Sequence, residues 1–95
     1  MLEIKSDKQL VLRDPIMIQG IPELDHYYAF NIENGDHFKL NHTAHWVLEA
    51  IGSGMTLAEL TSKFTEAFEL IQEIAEMDLA EIIDFALENN IIKEV

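Results

Sequence analysis

The stretch Asn34-Gly35-Asp36-His37-Phe38-Lys39-Leu40-Asn41-His42-Thr43-Ala44 decides the fold, because a chain reversal, a strand and a helix start follow one another within it. Asn-Gly favours a two-residue hairpin turn of type I′, since both central positions of that turn need a positive φ. Phe38 and Leu40 alternate with polar residues, as in a half-buried strand. Asn41 then suits the N-cap of a helix. The stretch therefore predicts a turn, a strand and a helix in immediate succession.

The residues before this turn predict the partner strand of a hairpin. Residues 27–32 are rich in aromatic and β-branched side chains. A two-residue loop would pair Glu33 with Asp36 and would place Phe30 and Phe38 on opposite faces of the sheet. Either the sheet is covered on both faces, by the helices and by the N-terminal arm, or a bulge shifts the register by one residue. We expect coverage on both faces.

Residues 1–25 predict either a first strand or an apolar arm. Residues 10–12 suit a short strand, and residues 16–18, between Pro15 and Pro22, suit an edge strand or an extended arm. The apolar content of this segment is too high for a solvated tail. We expect it to pack against the rest of the chain or against a partner.

Two further helix boundaries can be located from local sequence signals. The first helix should end at Gly52-Ser53-Gly54, since glycine commonly adopts the left-handed conformation that ends a helix. Thr56 and Glu59 have the spacing of a capping box, in which each side chain binds the backbone N–H of the other residue. The second helix should bury a stripe formed by Leu57, Leu60, Phe64 and Phe68.

A third helix is predicted beyond a break near residues 68–72 and should stop at Asn89-Asn90. Its core stripe is expected to contain Ala75, Leu79, Ile82, Ile83 and Ala86. One flank combines apolar and acidic side chains: Leu70, Ile74, Asp78, Glu81 and Phe85. Residues 91–92 suit a short β-like tail. The order of elements predicts one α+β domain over residues 1–95, winged-helix-like, with a short three-stranded antiparallel sheet followed by three helices.

The charge of the chain argues against nucleic-acid binding. Eighteen acidic and six basic residues give a net charge of −12, and residues 49–95, with eleven acids and two bases, contribute −9 of it. Such a domain repels phosphate backbones and anionic membrane surfaces. There is no cysteine, no apolar run of transmembrane length and no signal-peptide core near the N-terminus. We expect a soluble, cytoplasmic protein.

The sequence contains no recognisable catalytic constellation. His42 and His45 are three residues apart on the predicted first helix, and His37 on the adjacent strand offers a third metal ligand. Solvated histidines are the commoner outcome of such spacing, so we expect no metal site, although a small metal-dependent enzyme resting on these three residues is one alternative. No isolated carboxylate pair, activated serine or phosphate-binding loop is present. The expectation is a protein without cofactor or catalytic activity.

The predicted last strand of the sheet offers a surface for an extended peptide. If residues 36–40 form the sheet edge, their outward N–H and C=O groups are unpaired and can bind a further strand. The flank of the third helix would then contact the peptide side chains. Ile74 and Phe85 would offer apolar contacts, and Asp78 and Glu81 would offer charge. The same open edge, or the N-terminal arm, would also permit a homodimer.

Several short motifs together resemble the PqqD-like family. They are Leu40-Asn41, Thr43-Ala44, Leu48, Gly54, Thr56, Glu59-Leu60, Asp78-Leu79, Ile82-Ile83 and the closing Asn90-Ile91-Ile92, where Asn90 replaces the usual glycine. The resemblance covers about residues 27–92. It implies a recognition element for the precursors of ribosomally synthesised and post-translationally modified peptides, a small domain that binds the leader part of the precursor without catalysing a reaction.

The resemblance also implies a binding mode and partners. In that family the leader adds a strand to the third strand of the sheet and lies against the third helix, and the bound precursor is presented to a modifying enzyme. That enzyme is a radical S-adenosylmethionine enzyme, a leader peptidase or a cyclase. Carried over to this chain, the peptide-binding residues are Asp36, His37, Phe38, Lys39, Leu40, Ile74, Asp78, Glu81 and Phe85. The alternatives are an acidic winged-helix transcription regulator and a general protein-protein interaction module.

Overall fold

The computed structural model describes residues 9–94, which form two antiparallel sheets and three α-helices. The strands are β1 (Leu10–Leu12), β2 (Ile16–Ile21), β3 (His26–Asn31), β4 (His37–Leu40) and β5 (Ile92–Glu94), and the helices are α1 (His42–Gly52), α2 (Leu57–Ala67) and α3 (Gln72–Glu88). The predicted α+β class, with a three-stranded sheet and then three helices, is confirmed. Residues 1–8 of the predicted arm lie outside the described residues.

The N-terminal segment forms two strands, so the strand at residues 10–12 and the edge-strand alternative for residues 16–18 are confirmed. β1 pairs with β5, so that Leu12 lies opposite Ile92, and this small sheet joins the two ends of the described chain. β2 is an edge of the larger sheet, whose order is β2-β3-β4. Pro22 starts a short 3₁₀ turn between β2 and β3, consistent with its missing N–H and fixed φ.

The register of the β3–β4 hairpin differs from the prediction. Ala29 pairs with Phe38 and Tyr27 pairs with Leu40, so the connection spans residues 32–36 rather than Asn34-Gly35 alone. Gly35 has a positive φ of 80°, but Asn34 does not, and the turn is therefore not type I′.

The physical reason for the longer loop is the side chain of Asn31. Its Oδ1 accepts the backbone N–H of Glu33 at 3.0 Å and that of Asn34 at 3.2 Å. The Asn34 Oδ1 in turn accepts the backbone N–H of Asp36 at 2.9 Å. These local hydrogen bonds stabilise the five-residue connection. A tighter turn would leave them unmade.

The two faces of the larger sheet have different environments. Tyr27, Ala29 and Leu40 face α1 and are buried, and this is the inner face. The expectation that the N-terminal arm covers the other, outer face is wrong, because residues 16–21 pair at the sheet edge instead. Among residues 9–94, Met17 on the outer face remains 54% exposed. Phe30 and Phe38 lie on opposite faces of the sheet, as predicted, because the observed register differs from the predicted one by an even number of residues.

The helix boundaries follow the predicted capping signals. The Asn41 Oδ1 accepts the backbone N–H of Ala44 at 2.7 Å, and Thr56 and Glu59 form the reciprocal capping box. Glu69 has a positive φ of 50° in the break before α3. Of the predicted stripes of α2 and α3, Phe68 and Ile82 are only half-buried, and the other members are buried: Leu57, Leu60, Phe64, Ala75, Leu79, Ile83 and Ala86.

Candidate functional site at the edge of strand β4

The outer edge of β4 presents unpaired backbone groups in a defined pattern. The Asn31 N–H donates to the carbonyl of Asp36 at 2.8 Å, which marks this pair as hydrogen-bonded. In an antiparallel ladder such pairs alternate, so Phe38 and Leu40 direct their N–H and C=O groups toward β3. His37 and Lys39 direct theirs away from the sheet. These two residues are therefore the ones whose backbone can bind an added strand.

Helix α3 approaches β4 at Phe85. The rings of Phe38 and Phe85 make an edge-to-face contact with centroids 6.0 Å apart. At the other end, Phe68, which shortly precedes α3, contacts the ring of His42 just after β4. We call the space between the β4 edge and the side chains of Ile74, Asp78, Glu81 and Phe85 the β4–α3 groove.

The groove wall on α3 combines exposed apolar and acidic groups. Ile74 is 43% and Phe85 is 38% exposed, which is high for large apolar side chains. Asp78 is half-buried and Glu81 is exposed. Helix α3 carries six acidic residues and no basic one. Within residues 9–94, neither Asp78 nor Glu81 forms an ion pair, so both carboxylates are available to a ligand.

The predicted peptide-binding residues on β4 and its preceding loop do not share one face of the sheet. Phe38 lies on the inner face and contacts the α3 flank, whereas the side chains of His37 and Lys39 lie on the outer face. Asp36 lies at the end of the hairpin loop. The side chain of Leu40 is only 4% exposed, so it packs in the core below the groove.

The three histidines of the metal hypothesis do not converge. The ring of His45 lies 4.4 Å from that of Tyr27, and the His42 Nδ1 lies 3.4 Å from the Tyr27 hydroxyl, both on the inner side of the sheet. His37 lies on the opposite face, where it contacts Phe30. Among the residues from 9 to 94, no group of three histidine or carboxylate side chains is arranged to hold a metal ion.

Sequence reasoning missed the aromatic outer face of the sheet. The ring of His26 stacks on that of Tyr28, which contacts Phe30, which contacts His37. A shallow depression of about 370 Å³ adjoins this row and is lined by Met17, Gln19, Phe30, Asn31, Ile32 and Gly35. The alternation of residues 26, 28 and 30 would have indicated the row if the outer face had been taken as open.

The described helices do not suggest a membrane span: within residues 9–94, none is both long enough and apolar enough to cross a bilayer.

Comparison with known proteins gives one family and two solved structures. Residues 27–92 match the family model described as coenzyme PQQ synthesis protein D (PqqD). A structure described as lasso peptide synthetase B1 complexed with the leader peptide is 21% identical, with 90% of this chain and 98% of the other covered and a TM-score of 0.75. A structure described as TbiB1 in complex with the TbiA(beta) leader peptide is 13% identical, with 87% and 94% covered and a TM-score of 0.76. At these identities the likeness establishes a shared fold. No curated protein sequence matches the chain at a significant level.

Proposed function

Because the chain belongs to the PqqD family, we propose that it is a non-catalytic adaptor that binds the leader part of a ribosomally made precursor peptide. The single observation that carries this proposal is the unpaired edge of β4 beside the exposed flank of α3. The two solved structures of the same fold contain leader peptides, which supports the same class of ligand for this chain. We propose that residues 1–95 act as one peptide-recognition domain in the cytoplasm.

In this proposal the leader binds by adding a fourth strand to the sheet. The N–H and C=O groups of His37 and Lys39 would form hydrogen bonds with its backbone, which gives affinity for any extended chain. The side chains of Phe38 and Phe85 would contact the peptide side chains on the inner side and provide selectivity. Each such backbone hydrogen bond contributes about 0.5–1.5 kcal/mol, so several side-chain contacts are needed for stable binding.

The adaptor would act by raising the effective concentration of the precursor at a modifying enzyme. A leader held on this domain keeps the core peptide near an active site, at effective concentrations of about millimolar for a short flexible connection. The enzyme can then act on the core peptide while the leader provides recognition. We propose that this enzyme is a leader peptidase or a cyclase, in preference to a radical S-adenosylmethionine enzyme, because one protein of the same fold is a lasso peptide synthetase B1.

Hydrogen exchange measured by NMR on the isotope-labelled protein tests the proposal. The probe is a synthetic leader from the precursor encoded beside the gene, and a scrambled peptide of the same composition is the control. We expect the amides of His37 and Lys39 to become protected when the leader binds. The amides of Phe38 and Leu40 should change little, because they already bond to β3.

Two results would contradict different parts of the proposal. If the leader binds no better than the scrambled peptide, the adaptor function is wrong. If the leader binds but protection appears elsewhere, for example along β2, the function stands and the β4 edge is not the site.

A further inference from the structure

We infer that the free edge of β2 pairs with β2 of a second copy of this chain, so that the two larger sheets join around a two-fold axis at Gln19. This dimer goes beyond the proposed function and does not depend on it, because β4 lies at the opposite edge of the sheet and remains available to a peptide. Three features of β2 support the pairing: its unpaired backbone groups, its exposed apolar side chains and its lack of charge.

Strand β2 directs the backbone groups of Ile18 and Gly20 away from the sheet. The Ile32 N–H donates to the carbonyl of Pro15 at 3.2 Å, which marks that pair as hydrogen-bonded. Such pairs alternate along an antiparallel ladder, so Ile18 and Gly20 do not bond to β3. Within residues 9–94, their N–H and C=O groups have no hydrogen-bond partner. Another strand can therefore bind at this edge.

One antiparallel register satisfies these groups in both copies. If Ile18 lies opposite Gly20 of the second copy, and Gly20 opposite Ile18, each N–H can donate to the carbonyl across from it. Gln19 then lies opposite Gln19 of the second copy, on the two-fold axis. A register with Ile18 opposite itself would place Gly20 opposite Ile16, whose N–H already donates to the Arg13 carbonyl at 2.8 Å. That alternative would leave the Gly20 carbonyl without a donor, so the first register is favoured.

The same register covers exposed apolar side chains on the outer face. Met17 is 54% and Ile21 is 44% exposed. Met17 of each copy would lie opposite Ile21 of the other, in the closely spaced type of antiparallel pair. On the inner face, Gly20 has no side chain and leaves room for Ile18 of the second copy. The side chains of the two strands are therefore complementary on both faces.

The charge distribution favours β2 over β4 for self-association. The chain has a net charge of −12, so two copies repel each other unless they meet at an uncharged surface. Residues 15–22 contain no charged side chain, and β2 thus lacks the charges with which edge strands commonly resist pairing. Strand β4 is shorter and contains Lys39. Pro15 and Pro22 flank β2 and confine the pairing to it.

Sedimentation velocity and hydrogen exchange of the full chain test the inference. A strand pair of this length buries less than the roughly 800 Å² per partner of a standard interface, so we expect a monomer that becomes a dimer between about 10 µM and 1 mM. In the dimer the amides of Ile18 and Gly20 should become protected, whereas those of His37 and Lys39 should not. A chain that stays monomeric over this range would overturn the inference. A dimer that instead protects His37 and Lys39 would overturn it too.

Opposite charges at Gln19 test the register. Gln19 is exposed, so the fold should accept a charge there. Gln19→Glu and Gln19→Lys each place like charges opposite each other on the axis, and each should weaken the dimer by about three- to tenfold. An equimolar mixture of the two variants should form heterodimers and recover the wild-type affinity.

Gln72→Glu and Gln72→Lys are the matched controls, because Gln72 is also exposed but lies at the start of α3. They make the same changes in net charge, and each should alter dimer affinity by no more than about twofold. If the Gln19 mixture dimerises no better than either variant alone, the pairing around Gln19 is wrong. Leader binding measured on the same variants reports on the proposed function separately.

Discussion

Proline substitutions along β4 give a direct test of which backbone groups bind the peptide. Lys39→Pro removes an N–H that points away from the sheet, so the fold should tolerate it, since proline is accepted at the outward positions of edge strands. Phe38→Pro removes an N–H that bonds to Ala29 and also deletes the ring that contacts Phe85. The second substitution should therefore unfold the hairpin, although both change the same four-residue strand.

The expected loss of affinity for Lys39→Pro can be worked from the hydrogen bond. Removing the Lys39 N–H leaves the peptide carbonyl without its donor, which costs about 1–3 kcal/mol in all. Since 1.4 kcal/mol corresponds to a factor of ten, binding should weaken by about ten- to hundredfold. Lys39→Ala keeps the backbone N–H and removes only the side-chain charge, so it should weaken binding by less than about fivefold.

The assay combines calorimetric titration with the synthetic leader and thermal unfolding followed by circular dichroism. The informative comparison is between Lys39→Pro and Lys39→Ala, both of which should remain folded. Equal affinities for these two folded variants would refute strand addition through the Lys39 backbone. A Phe38→Pro variant as stable as the wild type would show that the inward and outward groups of β4 have been assigned the wrong way round.

Three further predictions concern the fold. Asn41→Ala removes the side-chain cap of α1 and should cost about 1 kcal/mol, lowering Tm by about 4–8 °C in a domain of this size; an unchanged Tm would show that the cap is dispensable. Hydrogen bonds from Thr56 lower the pKa of Glu59, so the capping box should stabilise the protein fully above pH 4.5, the ordinary value for glutamate. That stabilisation should be lost as the pH falls through the lowered folded-state pKa, and the Tm difference between wild type and Glu59→Gln should shrink over the same range; a difference independent of pH would contradict this. A Cβ at residue 20 would lie 2.7 Å from a Tyr27 ring carbon. Gly20→Ala should therefore shift the Tyr27 ring resonances and destabilise the domain by about 1–3 kcal/mol. In contrast, a Cβ at residue 35 would meet no neighbouring atom, and Gly35→Ala should cause strain only in the loop, because residue 35 has a positive φ.

Much of the fold could be predicted from local sequence signals. The Asn41 cap, the Thr56–Glu59 capping box and the helix end at Gly52 depend on residues within one turn of each other, and such signals act independently of the rest of the chain. The core stripe of α3 followed from the helical period in the same way. The order of these elements was enough to predict the α+β class.

The hairpin register could not be obtained from the Asn34-Gly35 pair. The loop depends on the side chain of Asn31, which accepts two backbone N–H groups, and such a bond competes with the tighter turn without leaving a periodic signal. The pairing of β1 with β5 was also outside local reasoning, because it joins residues about eighty positions apart. Long-range pairing of this kind is determined by packing and not by either segment alone.

The candidate site shows the same division. The sequence by itself determined that Ile74, Asp78, Glu81 and Phe85 share one flank of α3, although Leu70, also predicted there, lies before the helix, and it determined a strand within residues 36–40. Only the tertiary structure decided that Phe38 meets Phe85, that His37 lies on the face opposite His42 and His45, and that His37 and Lys39 carry the outward backbone groups. The physical reason is that helical period and charge are properties of a single segment, whereas the direction of a strand's hydrogen bonds depends on its register with a neighbour.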